Sequence, residues 1–201
     1  PAAYSEGFNP HLKFSLASAL GVGVVSYTEF VEIELAEPME VEKAALALDA
    51  ALPRGIRVLA ADAVDTHHAA LMSQAAGASY RIPLPYSKDV SAAVAEFNAA
   101  PELLFKKAAP KTKAKFKEID VKFYIPQLTA EQTETETIFS FDCKITPTGS
   151  MKAVDLLNAL NEQYGLALPV EMADIERLRL YRNNKNGKPI PMLNSDAVTL
   201  G

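Results

Sequence analysis

Cysteine occurs once in the 201 residues, at Cys143, and histidine only at His11, His67 and His68. A single thiol excludes an internal disulfide framework, and these four side chains make no Cys/His set for zinc or an iron–sulfur cluster. The expectation is a reducing cytoplasm, with no cofactor and no metal. His67 and His68 are adjacent, point about 100° apart on a helix and read as surface residues. Long apolar runs are also missing. The stretches at 22–25 and 44–48 fall far short of the ~18 residues of a membrane span, so no membrane is expected as a partner. The chain opens at Pro1 with no Met and no charged-then-apolar leader, which predicts no secretory signal and suits a piece of something longer. No Ser/His/Asp order, paired-carboxylate motif or phosphate-cradling glycine loop stands out. Gly21 and Gly23 would need a third glycine at position 26 to make a dinucleotide fingerprint, and Ser26 stands there.

What is present is ordinary globular material, 49% hydrophobic and 22% charged, long enough for two small domains. The net charge of −5 is unevenly spread. Residues 1–78 hold 4 basic and 10 acidic side chains, whereas residues 79–201 hold 16 basic and 15 acidic. The change is concentrated in Lys106, Lys107, Lys111, Lys113, Lys115, Lys117 and Lys122, which face only Glu118 and Asp120 in that stretch. A polyanion would meet this part first.

Residues 11–17 and 31–35 alternate apolar and polar side chains and predict two paired strands. Val41, Ala44, Ala45, Leu48 and Leu52 recur at helical spacing up to Pro53, and residues 56–64 suggest a short buried strand. Thr66 is placed to cap a short helix running to Ala76. Tyr80, Ile82 and Leu84 then mark a strand. A helix follows from about Lys88 to Ala99 with Ser87 as its cap, then extended runs at 103–125 and 137–146 separated by a solvated Thr/Glu loop at 129–136. A helix after Ser150 and a strand at 175–182 complete the pattern. The order strand, helix, strand, strand, helix, strand over 79–182 is the split βαβ of ferredoxin-like folds. Residues 11–64 give the same order without its first strand and helix. The predicted fold class is therefore α+β, with two tandem ferredoxin-like units, the first truncated. The units are 1–64 and 79–190, with a helical linker at 65–78 and an irregular tail at 191–201. A truncated unit exposes sheet edges and apolar faces, so self-association through those edges is a further expectation.

The opening run from Tyr4 through Gly7, Asn9 and Pro10 to Phe14, the Gly21-Val22-Gly23 and Glu29-Phe30-Val31-Glu32-Ile33 segments, Leu52-Pro53-Arg54-Gly55, Lys117-Glu118-Ile119-Asp120-Val121 and Leu178-Arg179-Leu180-Tyr181 together resemble the radical SAM-linked protein family of bacteria. Members of that family carry an extra strand and helix ahead of this opening motif. They occur fused to, or encoded beside, radical SAM proteins. The resemblance thus implies a non-catalytic accessory role with a radical SAM protein as partner, and it supplies no catalytic residue. The tandem arrangement is also similar to the RNA-processing endoribonucleases of CRISPR systems, an analogy of fold alone.

Three groups of residues are binding candidates. Tyr4, Ser5, Gly7, Phe8, Asn9 and His11 form a sharply turned loop. It suits either a structural turn or a binding loop with hydrogen-bonding Ser5 and Asn9 and stacking Tyr4, Phe8 or His11. Lys111, Lys113, Lys115 and Lys117 at strand spacing would present four ammonium groups along one face. That pattern tracks phosphates, and it also protects an edge strand from aggregation. Arg177, Arg179 and Tyr181 alternate on the last strand and, with Arg81 and Lys144, predict an open sheet face of the kind that stacks bases and holds phosphates of single-stranded RNA. Asp142 on that face and Glu176 nearby fit an ordinary solvated surface or a protein-docking face as well. Cys143 reads as a small core side chain.

Overall fold

The structure is a computed structural model that describes residues 1–65, 67–110 and 113–200. In chain order its elements are β1 (Phe14–Leu16), β2 (Val24–Ser26), β3 (Val31–Ile33), α1 (Val41–Ala51), β4 (Ala60–Ala61), α2 (Leu71–Gln74), β5 (Gly77–Leu84), α3 (Ser91–Ala99), β6 (Leu104–Ala108), β7 (Phe116–Asp120), α4 (Val121–Tyr124), β8 (Leu128–Gln132), β9 (Thr137–Thr146), β10 (Gly149–Ser150), α5 (Ala153–Tyr164), β11 (Ile175–Asn183), β12 (Pro189–Pro191) and β13 (Val198–Thr199). They form two compact units. The first contains residues 1–18, 30–75 and 182–201, and the second contains 19–29 and 76–181. These bounds differ from the expected 1–64 and 79–190. Residues 19–29 carry β2, which pairs in parallel with β11 and so belongs to the second unit. The tail beyond 191 is not irregular throughout, because β13 pairs with β4 in the first unit.

In the second unit, β8, β9, β5 and β11 lie side by side in that order, each antiparallel to its neighbour. With α3 after β5 and α5 after β9, this is the split βαβ sheet order. Alternation sorts the side chains. Ile82, Leu84, Phe139, Phe141 and Cys143 point into a core that Val90 at the start of α3 and Phe97, Leu156, Leu157 and Leu160 of the two helices complete. The helix α3 starts later than expected, with Val90 and not Ser87 at its N-cap, and the side chain of Asp89 just before it accepts from the Ser91 N–H at 2.9 Å. Residues 129–136 are not simply a solvated loop. Leu128–Gln132 is a strand, because Leu128 is buried opposite Phe141 and Thr and Glu serve well enough on an edge facing solvent. The run at 103–125 is instead an insertion, a β6–β7 hairpin followed by α4. The Asn98 amide holds both the N–H and the C=O of Leu128, at 2.9 and 2.8 Å, and so occupies part of the β8 edge as a neighbouring strand would.

The first unit keeps the expected strand, strand, helix, strand order, but β4 pairs with β13 and not with β1 or β3. Its buried apolar side chains are mostly small: Ala17, Ala45 and Ala75, with Leu71 and Met192. The expected buried strand at 56–64 shrinks to Ala60–Ala61, and Ile56, Leu59 and Val64 are exposed. In the β1–β3 pair, Phe14 lies opposite Ile33 and Leu16 opposite Val31, so one face is apolar. Leu12, Phe14 and Leu16 on that face are exposed. The polar face carries Ser15 opposite Glu32.

On that polar face His68 corrects its sequence reading as a plain surface residue. Its Nε2 meets the Glu32 carboxylate and its Nδ1 meets the Asp65 carbonyl, two acceptors that require both ring nitrogens to carry protons. Glu32 also accepts from the Leu71 N–H at 3.1 Å and from Ser15 Oγ at 3.1 Å, which clips α2 to the strands. Burial pushes Glu32 up, but the bonds from His68, Leu71 and Ser15 outweigh it and hold the carboxyl below its ordinary 4.5. The Glu32 and Asp65 bonds hold His68 above its ordinary 6.5. The histidine contribution is complete below pH 6.5 and is lost as pH rises through the raised value. The glutamate contribution is complete above pH 4.5 and is lost as pH falls through the lowered one. Exchange protection of the Leu71 amide should therefore be greatest between these limits and fall as pH rises through the raised histidine value. His68→Gln should flatten that upper limb; a limb unchanged in the variant would rule the clip out.

Candidate nucleic-acid interface

The inserted hairpin is set by its register. Phe105 and Ile119 face each other and are buried, which anchors the hairpin on the core. Two residues further along the same face, Lys107 lies directly opposite Lys117, an arrangement that costs energy unless the charge is neutralised. Lys107 is neutralised by Asp155 of α5 at 2.7 Å, whereas Lys117 makes no ion pair among the described residues. On the other face Lys106 lies opposite Glu118, and its Nζ sits 5.6 Å from the centre of the half-exposed Phe116 ring.

The expected lysine ladder does not form. Lys113 and Lys115 lie in the connection between β6 and β7, Lys115 with φ of 62° and its Nζ on the Pro110 carbonyl at 3.2 Å, and only Lys117 is in a strand. Lys111, like the Thr66 cap, falls outside the described residues. The alternating spacing imitates a strand, but the chain must reverse between Ala108 and Phe116, and that reversal gathers Lys113 and Lys115 at the hairpin tip.

Asp120 closes the hairpin and starts α4, its carboxylate accepting from the Lys122 N–H at 3.0 Å and the Leu103 N–H at 3.2 Å. Val121 and Ile125, four apart, turn inward, and Phe123 turns out, half-exposed. A groove of about 330 Å³ runs between β7 and α4, lined by Lys117, Glu118, Ile119, Asp120, Phe123 and Tyr124. Lys144 of β9 reaches over the Phe123 ring, 5.3 Å from its centre, and Tyr124 packs edge-on to it at 5.0 Å. Lys122 does not join this set. It lies over Phe97 with its Nζ on the Pro126 carbonyl at 2.6 Å, and burial lowers its pKa.

The outer face of the sheet differs from its prediction in two residues. A bulge between Arg177 and Arg179 inverts the alternation, so Arg177 shares the side of Tyr80 while Arg179 shares that of Ser79. Arg177 is 2% exposed and makes a forked pair with Glu29, not an open cationic site. Tyr181 has the expected parity but is 8% exposed, folded over Gly77, and burial pushes its hydroxyl up to about 12. Arg81 pairs with Glu176 at 3.1 Å, Arg179 donates to Ser79 Oγ at 2.9 Å, and Asp142 accepts from Ser79. With Lys144 included, the cations on this face are matched by Glu131, Asp142 and Glu176, and its field is weak compared with that of the hairpin.

In the first unit the opening loop is a closed turn. The Ser5 N–H donates to the His11 carbonyl at 2.8 Å, and Ser5 Oγ accepts from the His11 N–H at 2.9 Å. Gly7 holds φ of +123°, a conformation other residues rarely adopt. Asn9 and His11 side chains meet at 3.4 Å, and Tyr4 and Phe8 are left exposed. Cys143 is buried, and that burial pushes its thiol up to about 11, which keeps it protonated near neutrality. No cluster of His, Cys, Asp or Glu suited to a metal ion occurs among the described residues, and no described helix is long and apolar enough to cross a membrane.

These features define a ferredoxin-like α+β unit with a basic hairpin inserted between its first helix and second strand. Residues 1–155 match a family described as an uncharacterized protein conserved in bacteria (DUF2344), and the chain belongs to it. No curated protein matches the chain.

Proposed function

We propose that this chain is a non-catalytic accessory module of a cytoplasmic radical SAM modification system and that it holds an RNA substrate on the β6–β7 hairpin. The radical SAM part is supported by the resemblance of the Tyr4 to Phe14 motif and the segments that follow it. The RNA part is carried by one observation: Lys106, Lys113, Lys115 and Lys117 are gathered on one hairpin beside exposed aromatic rings. Lysines that neutralise phosphates release counterions, so affinity for total cellular RNA should fall with salt at a log–log slope of about −0.7 per phosphate engaged. Changing Lys106, Lys113, Lys115 and Lys117 together to Glu should abolish binding at low salt. Absent or salt-independent binding by the unaltered chain would remove RNA from the proposal.

The exposed apolar face of the first unit favours a second reading, a protein-docking module without nucleic acid. Co-purification of a radical SAM partner that survives nuclease treatment and is lost in Phe14→Ser would favour that reading.

A further inference from the structure

We infer that the groove between β7 and α4 takes a nucleobase of single-stranded RNA, with Phe123 as the stacking ring and Lys117 and Lys144 on the flanking phosphates; this rests on the RNA reading above. Three observations lead to it. The groove, about 330 Å³, has room for one planar base and no more than a short stretch of backbone. Its aromatic wall is half-exposed on a short helix that the buried Val121 and Ile125 fix in place, so the ring is presented by a packed element and not by a loose loop.

The charges are the third observation, and they fix the orientation. Glu118 and Asp120 line the groove, so a phosphate is repelled from its interior, whereas Lys117, itself in the lining, and Lys144, now over the Phe123 ring, are long enough to turn to phosphates at its rim. A neutral base inside and charged backbone at the lysines satisfies both. A polyanion without bases gains nothing from this groove. A duplex keeps its bases stacked and cannot offer one.

The sequence contains no tryptophan, so Phe123→Trp places a single indole at the site. Titrating that variant with a single-stranded 12-mer RNA should quench its emission, whereas an RNA duplex of the same length and heparin should not. Phe123→Ala should weaken binding of the single strand by about five- to a hundredfold and leave heparin affinity unchanged. Because Phe123 lies half in solvent, the variant should keep the circular dichroism of the unaltered chain. Single-strand binding that is undiminished in Phe123→Ala but lost in the lysine-to-glutamate variant would overturn the stacking site and leave the hairpin reading standing. No RNA binding by any variant or by the unaltered chain would overturn both.

Discussion

Glu29→Ala should cost the second unit about 3 kcal/mol of stability. The Arg177 guanidinium is 2% exposed, and both oxygens of Glu29 receive it, Oε1 from Nε at 2.8 Å and Oε2 from the terminal nitrogen. Removing the carboxylate takes that countercharge from a buried cation and leaves it neutral partners, the Tyr80 hydroxyl and the Ala19 carbonyl at 3.3 Å among them. Breaking a buried pair from one side costs about 3–5 kcal/mol, and the lower end applies because the Glu29 side chain is 29% exposed and water can reach the gap. The same pair holds β2 to β11, helped by Ser26 Oγ on Glu29 and by the Tyr27 N–H on the Arg177 carbonyl at 3.2 Å. The amides of 24–27 should therefore exchange by local opening before the unit unfolds. Urea titration gives the comparison. Glu29→Gln should cost less than Glu29→Ala, because its amide oxygen still accepts, and the double change Glu29→Leu with Arg177→Met should recover much of the loss. A cost below about 1 kcal/mol for Glu29→Ala would mean that Arg177 finds water or another acceptor, and the pair would then be no more than a surface contact.

The parts of the fold that were legible in the sequence are those where one period holds over a whole element. Strands β5 and β9 and helix α5 bury one face each and keep their register from end to end, so alternation and helical spacing located them. The misplaced residues lie where the period changes. In β11 the bulge adds a residue between Arg177 and Arg179, and nothing in the local composition marks it, so counting by twos put a core arginine on the surface. Residues 119, 121, 123 and 125 read as one strand face, yet the chain passes from strand to helix at Val121. Spacing by four then applies, and Phe123 swings out to become the aromatic wall of the groove. The charge asymmetry was legible because it needs no geometry, and it located the lysines correctly while their spacing misdescribed them as a ladder. Lys106 and Phe116 were visible only as composition, since their pairing depends on the hairpin register. Strand β8 was hidden for another reason: as an edge strand it is apolar only at Leu128 and Ala130, and its Thr and Glu side chains look like a loop.

Gly77→Ala should destabilise the second unit by about 2 kcal/mol, although glycine is normally the poorer residue inside a strand. Gly77 lies directly opposite Tyr181, and a Cβ built there would sit 2.2 Å from the tyrosine oxygen and 2.4 Å from Cζ. A Cβ cannot sit that close, so the ring must move off its place above the strand. Replacing glycine where its backbone is compatible gains about 0.4–1 kcal/mol by restricting the unfolded chain. Returning a buried aromatic ring to water costs about 1.5–3 kcal/mol, and the contact of Arg179 with the ring, 5.9 Å from its centre, goes with it. The loss wins. In a chain that already carries Tyr181→Ala the clash is gone, and Gly77→Ala should become neutral or slightly stabilising. The cycle therefore predicts a coupling of about 1–3 kcal/mol between two residues that touch. An optical titration supplies a second, independent readout. Burial holds the Tyr181 hydroxyl at about 12, and expelling the ring should bring it back toward 10.0. If Gly77→Ala costs the same with and without the ring, and the tyrosine titration does not move, the glycine is kept for its backbone and not for the ring packed above it.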